Sequence, residues 1–166
     1  MKLGMAAGAL AALLLTAQAP AIKVERIEVS RPGTYEIEVR GAVPDQAVTT
    51  GNRVEAKAYK SLTVGADIPA KAGTVIGAEL TLIGTPRRGK VPLKVVWRYP
   101  PPGLTNPQTK ETRDTDEYAD VQLIGDKFPV FWGLTQDWHL VPGTWTLEIW
   151  HADRKLMTQQ FQVTKP

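Results

Sequence analysis

Apolar and polar side chains alternate along short segments of this chain, and no amphipathic-helix spacing recurs. In the segment 34–42, Tyr35, Ile37 and Val39 share one face, whereas charged side chains occupy the other. That period of two is typical of an antiparallel strand with one buried face. The pattern therefore predicts an all-β protein.

Nine segments of this kind are separated by Gly, Pro, Asn and Asp. They favour an antiparallel β-sandwich of the immunoglobulin-like or fibronectin III-like type, with about eight to nine strands. Pro32-Gly33 is expected to join the first two strands, residues 84–90 to form a hairpin loop, and residues 100–125 to contain a long connection. The predicted strands are 22–31, 34–42, 53–64, 74–83, 91–99, 118–124, 130–134, 144–150 and 156–163.

The last two segments predict a hairpin with a defined register. Trp145 and Phe161 must face the same core, so paired residue numbers should sum to an even value. A loop with an odd number of residues satisfies this condition, and we expect a three-residue loop at 152–154. Trp145 should then oppose Phe161 and Ile149 should oppose Met157. On the outer face, Trp150 should oppose Leu156.

The N-terminal segment reads as a signal peptide covering residues 1–21. Lys2 precedes an apolar stretch that is too short to span a bilayer, and small residues follow it. We expect cleavage after Ala21, a single mature domain at 22–166, no membrane span after cleavage, and a periplasmic or secreted location. The alternative is a retained N-terminal anchor.

Composition narrows the function classes. The absence of cysteine excludes disulfides, thiolate metal sites and cysteine nucleophiles. The formal net charge is +3, or +2 once Lys2 leaves with the leader, and charges of both signs are interspersed. Such a surface has no strong field, so nucleic acid is not expected as a partner.

No catalytic, cofactor-binding or metal-binding residue is assigned. His139 and His151 each lie two residues from an aspartate, but a strand of about 20 Å separates the two pairs. The acidic stretch 111–126 departs from the EF-hand pattern, although a looser calcium site there stays open. The basic run 87–90 is interpreted as a charged loop that keeps a sheet edge soluble, and the alternative is contact with an anionic surface such as lipopolysaccharide.

Five tryptophans are the other candidates. Trp97 and Trp145 follow the alternation and are predicted to be core residues. The remaining three are either covered or exposed, and exposed aromatic side chains would suit sugar rings or partner proteins. The candidate interaction patch is Trp150, Leu156, Trp132 and Trp138.

Several motifs in the last hundred residues carry a family resemblance. They are 68–74, Gly77, 99–107, Leu140-Val141-Pro142-Gly143-Thr144-Trp145-Thr146 with Glu148-Ile149-Trp150, 154–156 and 161–163. Over this region the chain resembles the exported bacterial domain-of-unknown-function family 3859. The resemblance implies a secreted or periplasmic immunoglobulin-like domain without an assigned activity, so no functional residue is carried over.

The leading hypothesis is a non-catalytic binding or assembly module of the bacterial cell envelope. Its partner would be a protein or glycan of the envelope, and no cofactor is expected. The alternatives are a carbohydrate-binding domain that uses Trp132, Trp138 or Trp150, and a metal-assisted hydrolase that uses His139 or His151. An accessory, chaperone-like domain would instead need an unpaired edge strand that accepts a client strand.

Overall fold

A computed structural model describes residues 21–165, which form an all-β sandwich. The predicted signal peptide occupies 1–21, and residues 1–20 lie outside the described part of the chain. One short 3₁₀ helix covers Asp137–His139. The described range contains eleven strands: β1 Lys23–Pro44, β2 Asn52–Val64, β3 Asp67–Pro69, β4 Thr74–Thr85, β5 Lys90–Arg98, β6 Leu104–Thr105, β7 Thr112–Arg113, β8 Thr115–Leu123, β9 Lys127–Leu134, β10 Gly143–His151 and β11 Arg154–Thr164.

Two large sheets face each other. The first has the strand order β2-β1-β4-β9, and the second has the order β3-β11-β10-β5-β8. β6 and β7 form a separate two-stranded sheet. Every pairing is antiparallel except that of β3 with β11, which is parallel. The antiparallel sandwich predicted from the alternation is thus confirmed.

The first two predicted strands are one continuous strand, so the expected turn at Pro32-Gly33 is wrong. β1 runs through both residues with an irregular register between Ser30 and Gly33. Gly33 is needed there because a β-carbon at this position would lie 2.0 Å from the carbonyl oxygen of Thr63. The chain therefore bulges at a close backbone contact instead of reversing direction.

Within the segment 84–90, residues 86–89 connect the two sheets and do not close a hairpin, because β4 and β5 belong to different sheets. The expectation of a hairpin loop there was wrong. Three short strands, β3, β6 and β7, were also not predicted. Each has three residues or fewer, which is too short for an alternation pattern to be visible in the sequence.

Inward-facing side chains of both sheets form one core. Trp97, Trp145 and Phe161 are fully buried, and the rings of Trp97 and Phe161 stack with centroids 5.9 Å apart. The indole nitrogen of Trp145 donates a hydrogen bond to the carbonyl of Val141 at 2.9 Å. The core positions predicted for Trp97 and Trp145 are confirmed.

The C-terminal hairpin keeps the predicted inner register and loses the predicted outer one. Trp145 opposes Phe161 and Ile149 opposes Met157. Beyond Ile149 the register shifts, so Trp150 opposes Lys155 and Leu156 is the extra residue. The parity rule predicted one extra residue in the loop, but the extra residue is a bulge in β11. The loop therefore has only two residues, 152 and 153.

Candidate binding site

The second half of β1 and most of β2 form a two-stranded ribbon that leaves the sheet. β1 pairs with β4 as far as Tyr35, opposite Val75, and from there to Pro44 it pairs only with β2. We call residues 36–44 and 52–60 the ribbon and residues 45–51 its tip. Isolated two-stranded hairpins are marginally stable in water, so the ribbon needs support at both ends.

The tip is fixed to the opposite sheet by buried hydrogen bonds. The backbone N–H of Thr49 donates to both carboxylate oxygens of Asp116, at 2.8 and 2.9 Å, and its hydroxyl donates to the same group. The side-chain amide of Asn106 donates to the carbonyl of Thr49 at 2.8 Å. Asp116 on β8 is only 1% exposed. We call Thr49, Asn106 and Asp116 the tip anchor.

Tyr99 and Trp132 extend this buried polar region. The indole nitrogen of Trp132 donates to the hydroxyl of Tyr99 at 2.9 Å. Burial raises the pKa of Tyr99 far above its ordinary value, and the charge of Asp116 adds to the effect. The Tyr99 hydroxyl therefore stays protonated and acts as a neutral hydrogen-bonding group beside the anchor.

A groove with a volume of about 950 Å³ lies beneath the ribbon. Five consecutive residues of β9, Pro129 to Gly133, line it. Successive side chains of a strand point to opposite faces, so a surface that meets five in a row runs along the edge of the strand. The groove therefore follows the free edge of β9, which pairs with β4 on its other side.

The ribbon and β8 form the other walls of the groove. Ile37, Val39, Val54 and Ala56 line it from the ribbon. Asp116, Tyr118 and Asp120 line it from β8. The ribbon wall therefore combines these aliphatic side chains with polar ones, Glu36, Asn52 and Arg53, and β8 contributes a polar and aromatic wall.

The groove carries more negative than positive charge. Three carboxylates line it, those of Glu36, Asp116 and Asp120, against one guanidinium, that of Arg53. Arg53 is already paired with Asp45 at 2.6 Å and lies 4.7 Å from the centre of the Tyr118 ring. A positively charged occupant would complement this lining.

His139 lines the groove as a neutral imidazole. Its Nδ1 lies 3.1 Å from the Gly133 carbonyl and 3.2 Å from the Thr135 nitrogen, and within residues 21–165 its Nε2 has no hydrogen-bond partner. Burial lowers its pKa to about 4, and the contact with Gly133 opposes that shift.

The lowered pKa of His139 predicts a pH dependence of stability. The unfolded state binds the proton from about pH 6.5 downward, whereas the folded state binds it only near pH 4. We expect the free energy of unfolding to fall as the pH is lowered through this interval, and to fall less in the His139→Phe variant. Urea denaturation of both proteins at half-unit steps measures the two slopes, and equal slopes would contradict the assignment.

Exposed apolar side chains are concentrated on the ribbon and on the end of β2 that adjoins it. Of nine large apolar residues exposed in the described range, six lie there: Val39, Val43, Val54, Tyr59, Leu62 and Val64. Leu62 and Val64 line a second concavity of about 540 Å³, which shares Tyr35, Gly73 and Val75 with the groove. The two concavities therefore lie next to each other.

The candidate patch from the sequence is divided between separate environments. Trp132 is 8% exposed and belongs to the core, which is the covered alternative, and it also lines the groove from β9. The alternation along β9 places its side chain on the inner face of that strand. Trp138 is half-buried, lines the groove and packs against His139, with ring centroids 4.0 Å apart.

Trp150 and Leu156 lie away from the groove lining. Trp150 is half-buried on the outer face of the second sheet, with Lys94 and Lys155 each within 5.4 Å of its ring centre. Leu156 is partly buried and packs against the core. The expected apolar Trp150–Leu156 pair is therefore replaced by a tryptophan flanked by two lysines.

Glu148 organises this charged surface and provides a second stability prediction. It is 4% exposed and accepts hydrogen bonds from Lys155 and Trp150, both at 2.9 Å, besides pairing with Arg98. Burial raises its pKa, but these partners outweigh that effect and lower it overall. We expect Glu148→Gln to cost about 1 kcal/mol at pH 7.

The stability loss expected for Glu148→Gln should depend on pH in one direction only. A lowered carboxylate pKa stabilises the fold above the unfolded value of 4.5, and the contribution disappears as the pH falls through the folded pKa. Urea denaturation should therefore show a difference between Glu148→Gln and the wild type that shrinks as the pH is lowered below 4.5. A constant difference would contradict the role of the charge.

The residues weighed for metal binding are apart in the fold. Nδ1 of His151 lies 3.0 Å from the carbonyl of Pro92, and His139 faces the groove. Between residues 21 and 165, the structure contains no group of three or more His, Asp or Glu side chains that could hold a metal ion.

In the basic loop at 87–90, Arg88 forms an ion pair with Asp126 at 3.2 Å. Residues 21–165 contain no helix that is long and apolar enough to cross a bilayer.

The architecture is that of an immunoglobulin-like sandwich. An immunoglobulin-like protein from Pseudomonas aeruginosa is similar over 89% of this chain and 99% of its own, with a TM-score of 0.56 and 22% identity. The family model described as "Domain of unknown function (DUF3859)" matches residues 25–163. The chain belongs to this family.

Other similar structures share less of the fold. An alkylpurine DNA glycosylase from Pseudomonas fluorescens has a TM-score of 0.40 and 15% identity over 59% of this chain and 27% of its own. A β-glucosidase from Listeria innocua has a TM-score of 0.37 and 10% identity over 80% of this chain and 16% of its own. No curated protein matches the chain.

The tip anchor and the groove were not identified from the sequence. Asp116 appeared only as one member of an acidic stretch, and Thr49 gave no signal. The one available sign was that Tyr35, Ile37 and Val39 alternate in a segment that is rich in charge. That pattern predicts a strand with one apolar face, but it does not show whether the face is covered.

Proposed function

We propose that this protein is a non-catalytic, exported binding module of the bacterial cell envelope, and that the ribbon with the adjoining end of β2 contacts a protein partner. Export is supported by the apolar N-terminal segment with its small residues before Ile22. A binding role is supported by the exposed apolar surface and the groove beneath it.

The concentration of exposed apolar residues on this surface is the observation that carries the proposal. Soluble domains scatter single apolar residues over their surface, whereas contiguous apolar surface marks interaction sites. Here, six of the nine exposed large apolar side chains of the described range lie on one pair of strands, and the register puts Val39 and Val54 on the same face, with Val43 on the other. The tip anchor holds these strands in place, which reduces the conformational entropy lost on binding.

The carbohydrate alternative is weakened by the placement of its tryptophans. Trp132 is in the core and Trp150 is on a different sheet face, so Trp138 alone combines partial exposure with the groove. The hydrolase alternative has even less support, because the two histidines contact backbone carbonyls in separate regions.

A photo-crosslinking amino acid at Leu62 tests the proposal in living bacteria. Leu62 is 56% exposed, and Val121, which is 59% exposed on β8, provides a matched control on another strand. We expect one discrete crosslinked product from position 62 and none from position 121. Excess purified wild-type protein should suppress it in envelope extracts, whereas the double variant Val54→Ser, Leu62→Ser should not.

Two results would overturn this proposal. One is equal crosslinking from both positions, which would indicate nonspecific contact. The other is a product that the double variant suppresses as well as the wild type does, because the apolar side chains would then contribute nothing to recognition.

A further inference from the structure

The edge of β9 presents unpaired backbone groups to the groove. A β-carbon on Gly77 would lie 2.2 Å from the carbonyl oxygen of Val130, so that carbonyl points toward β4. Backbone groups alternate in direction along a strand, so those of Pro129, Phe131 and Gly133 point away from β4. The contacts of the Gly133 carbonyl with residues 135 and 139 agree with this direction.

Four of these outward groups are free in the described part of the chain. They are the carbonyl of Pro129, the N–H and carbonyl of Phe131, and the N–H of Gly133. Pro129 lacks a backbone N–H, and its missing donor would have pointed away from β4. Strands tolerate proline at such an unpaired edge position. An extended chain laid along the groove would meet two donors and two acceptors in ladder geometry.

The other edges of the two large sheets are less suited to accept a strand. On β2, two register shifts each leave one extra residue in the strand, and the strand carries Lys57 and Lys60. Bulges and lysine side chains both hinder the pairing of an edge strand with another chain. On β8, the Asp120 carboxylate already accepts a hydrogen bond from the N–H of Val121 at 2.8 Å. β3 has only three residues. By contrast, β9 has no charged side chain after Lys127.

We propose that the groove binds an extended, positively charged segment of a partner protein, which adds as a strand to the edge of β9. This inference rests on the proposed function and specifies its partner. Aliphatic residues of the ribbon, Val39 and Val54 among them, would contact apolar side chains of that segment. The excess of carboxylates selects a basic segment over an acidic one.

A pair of variants at Phe131 separates the backbone contact from the side-chain contact. Phe131→Ala and Phe131→Pro both remove the ring, but only proline removes the N–H that faces the groove. The probe is a phage-displayed library of random peptides about nine residues long, selected on the wild-type protein. We expect the enriched peptides to be basic and apolar, and to bind Phe131→Pro about tenfold more weakly than Phe131→Ala in calorimetry.

A second pair, Gly133→Pro and Gly133→Ala, serves if Phe131→Pro fails to fold by circular dichroism. Equal binding to the proline and alanine variants would overturn the strand-addition proposal, as would enrichment of acidic peptides. Peptidoglycan oligosaccharides that bind in place of peptides, or a dimer of this chain that forms through β9, would also overturn it. The crosslinking at Leu62 does not depend on the β9 backbone, so the two proposals can fail separately.

Discussion

Replacing Trp145 with alanine is expected to lower the free energy of unfolding by about 3–5 kcal/mol. Trp145 is 0% exposed, and its ring lies 4.9 Å from that of Tyr99 and 5.0 Å from that of Trp132. The substitution leaves a cavity between the two sheets and removes the hydrogen bond to the Val141 carbonyl. Urea denaturation followed by circular dichroism measures the loss.

Trp150→Ala is the matched control for this prediction. Trp150 lies on the same strand but points to the outer face and is half-buried. Its removal should cost less than about half as much, because no enclosed cavity forms. Equal losses for the two variants would show that the inner face of β10 does not contribute to the core as described.

The inner register around Trp145 was predictable because it depends on one parity rule. Paired residues of the two strands must both point into the core. The pairing of Trp145 with Phe161 meets this condition independently of the length of the loop. The position of the odd residue was not predictable. A three-residue loop and a bulge at Leu156 with a shorter loop satisfy the same parity, and they differ only in local backbone geometry.

The ribbon was not predictable, for a related reason. Alternation identifies a strand and its apolar face, and it did so correctly for the segment that contains Ile37 and Val39. It does not reveal whether other side chains of the protein cover that face. Tyr35 is 3% exposed because the rings of Phe131 and Tyr59 pack against it, with centroids 4.7 and 6.2 Å away, whereas Val39, a few residues further along, is 55% exposed. The candidate site arises from this change of neighbours and not from a change of pattern.

Replacing Asp116 with alanine is expected to lower the free energy of unfolding by about 2–4 kcal/mol and to release the tip of the ribbon. The substitution leaves the N–H and hydroxyl of Thr49 buried without an acceptor. It also removes the group that joins the tip to β8. Urea denaturation measures the stability loss, and amide hydrogen exchange should show faster exchange in residues 45–56 than in β10.

Asp114→Ala and Thr49→Val distinguish the anchor from a general effect of charge. Asp114 is exposed two residues before Asp116, so its removal should change stability by less than about 0.5 kcal/mol. Thr49→Val keeps the backbone N–H but removes the hydroxyl, and should cost about 1 kcal/mol. If exchange at the tip stayed at the wild-type rate in Asp116→Ala, the ribbon would be held by its own strand pairing. The groove beneath it would then not depend on the tip anchor for its shape.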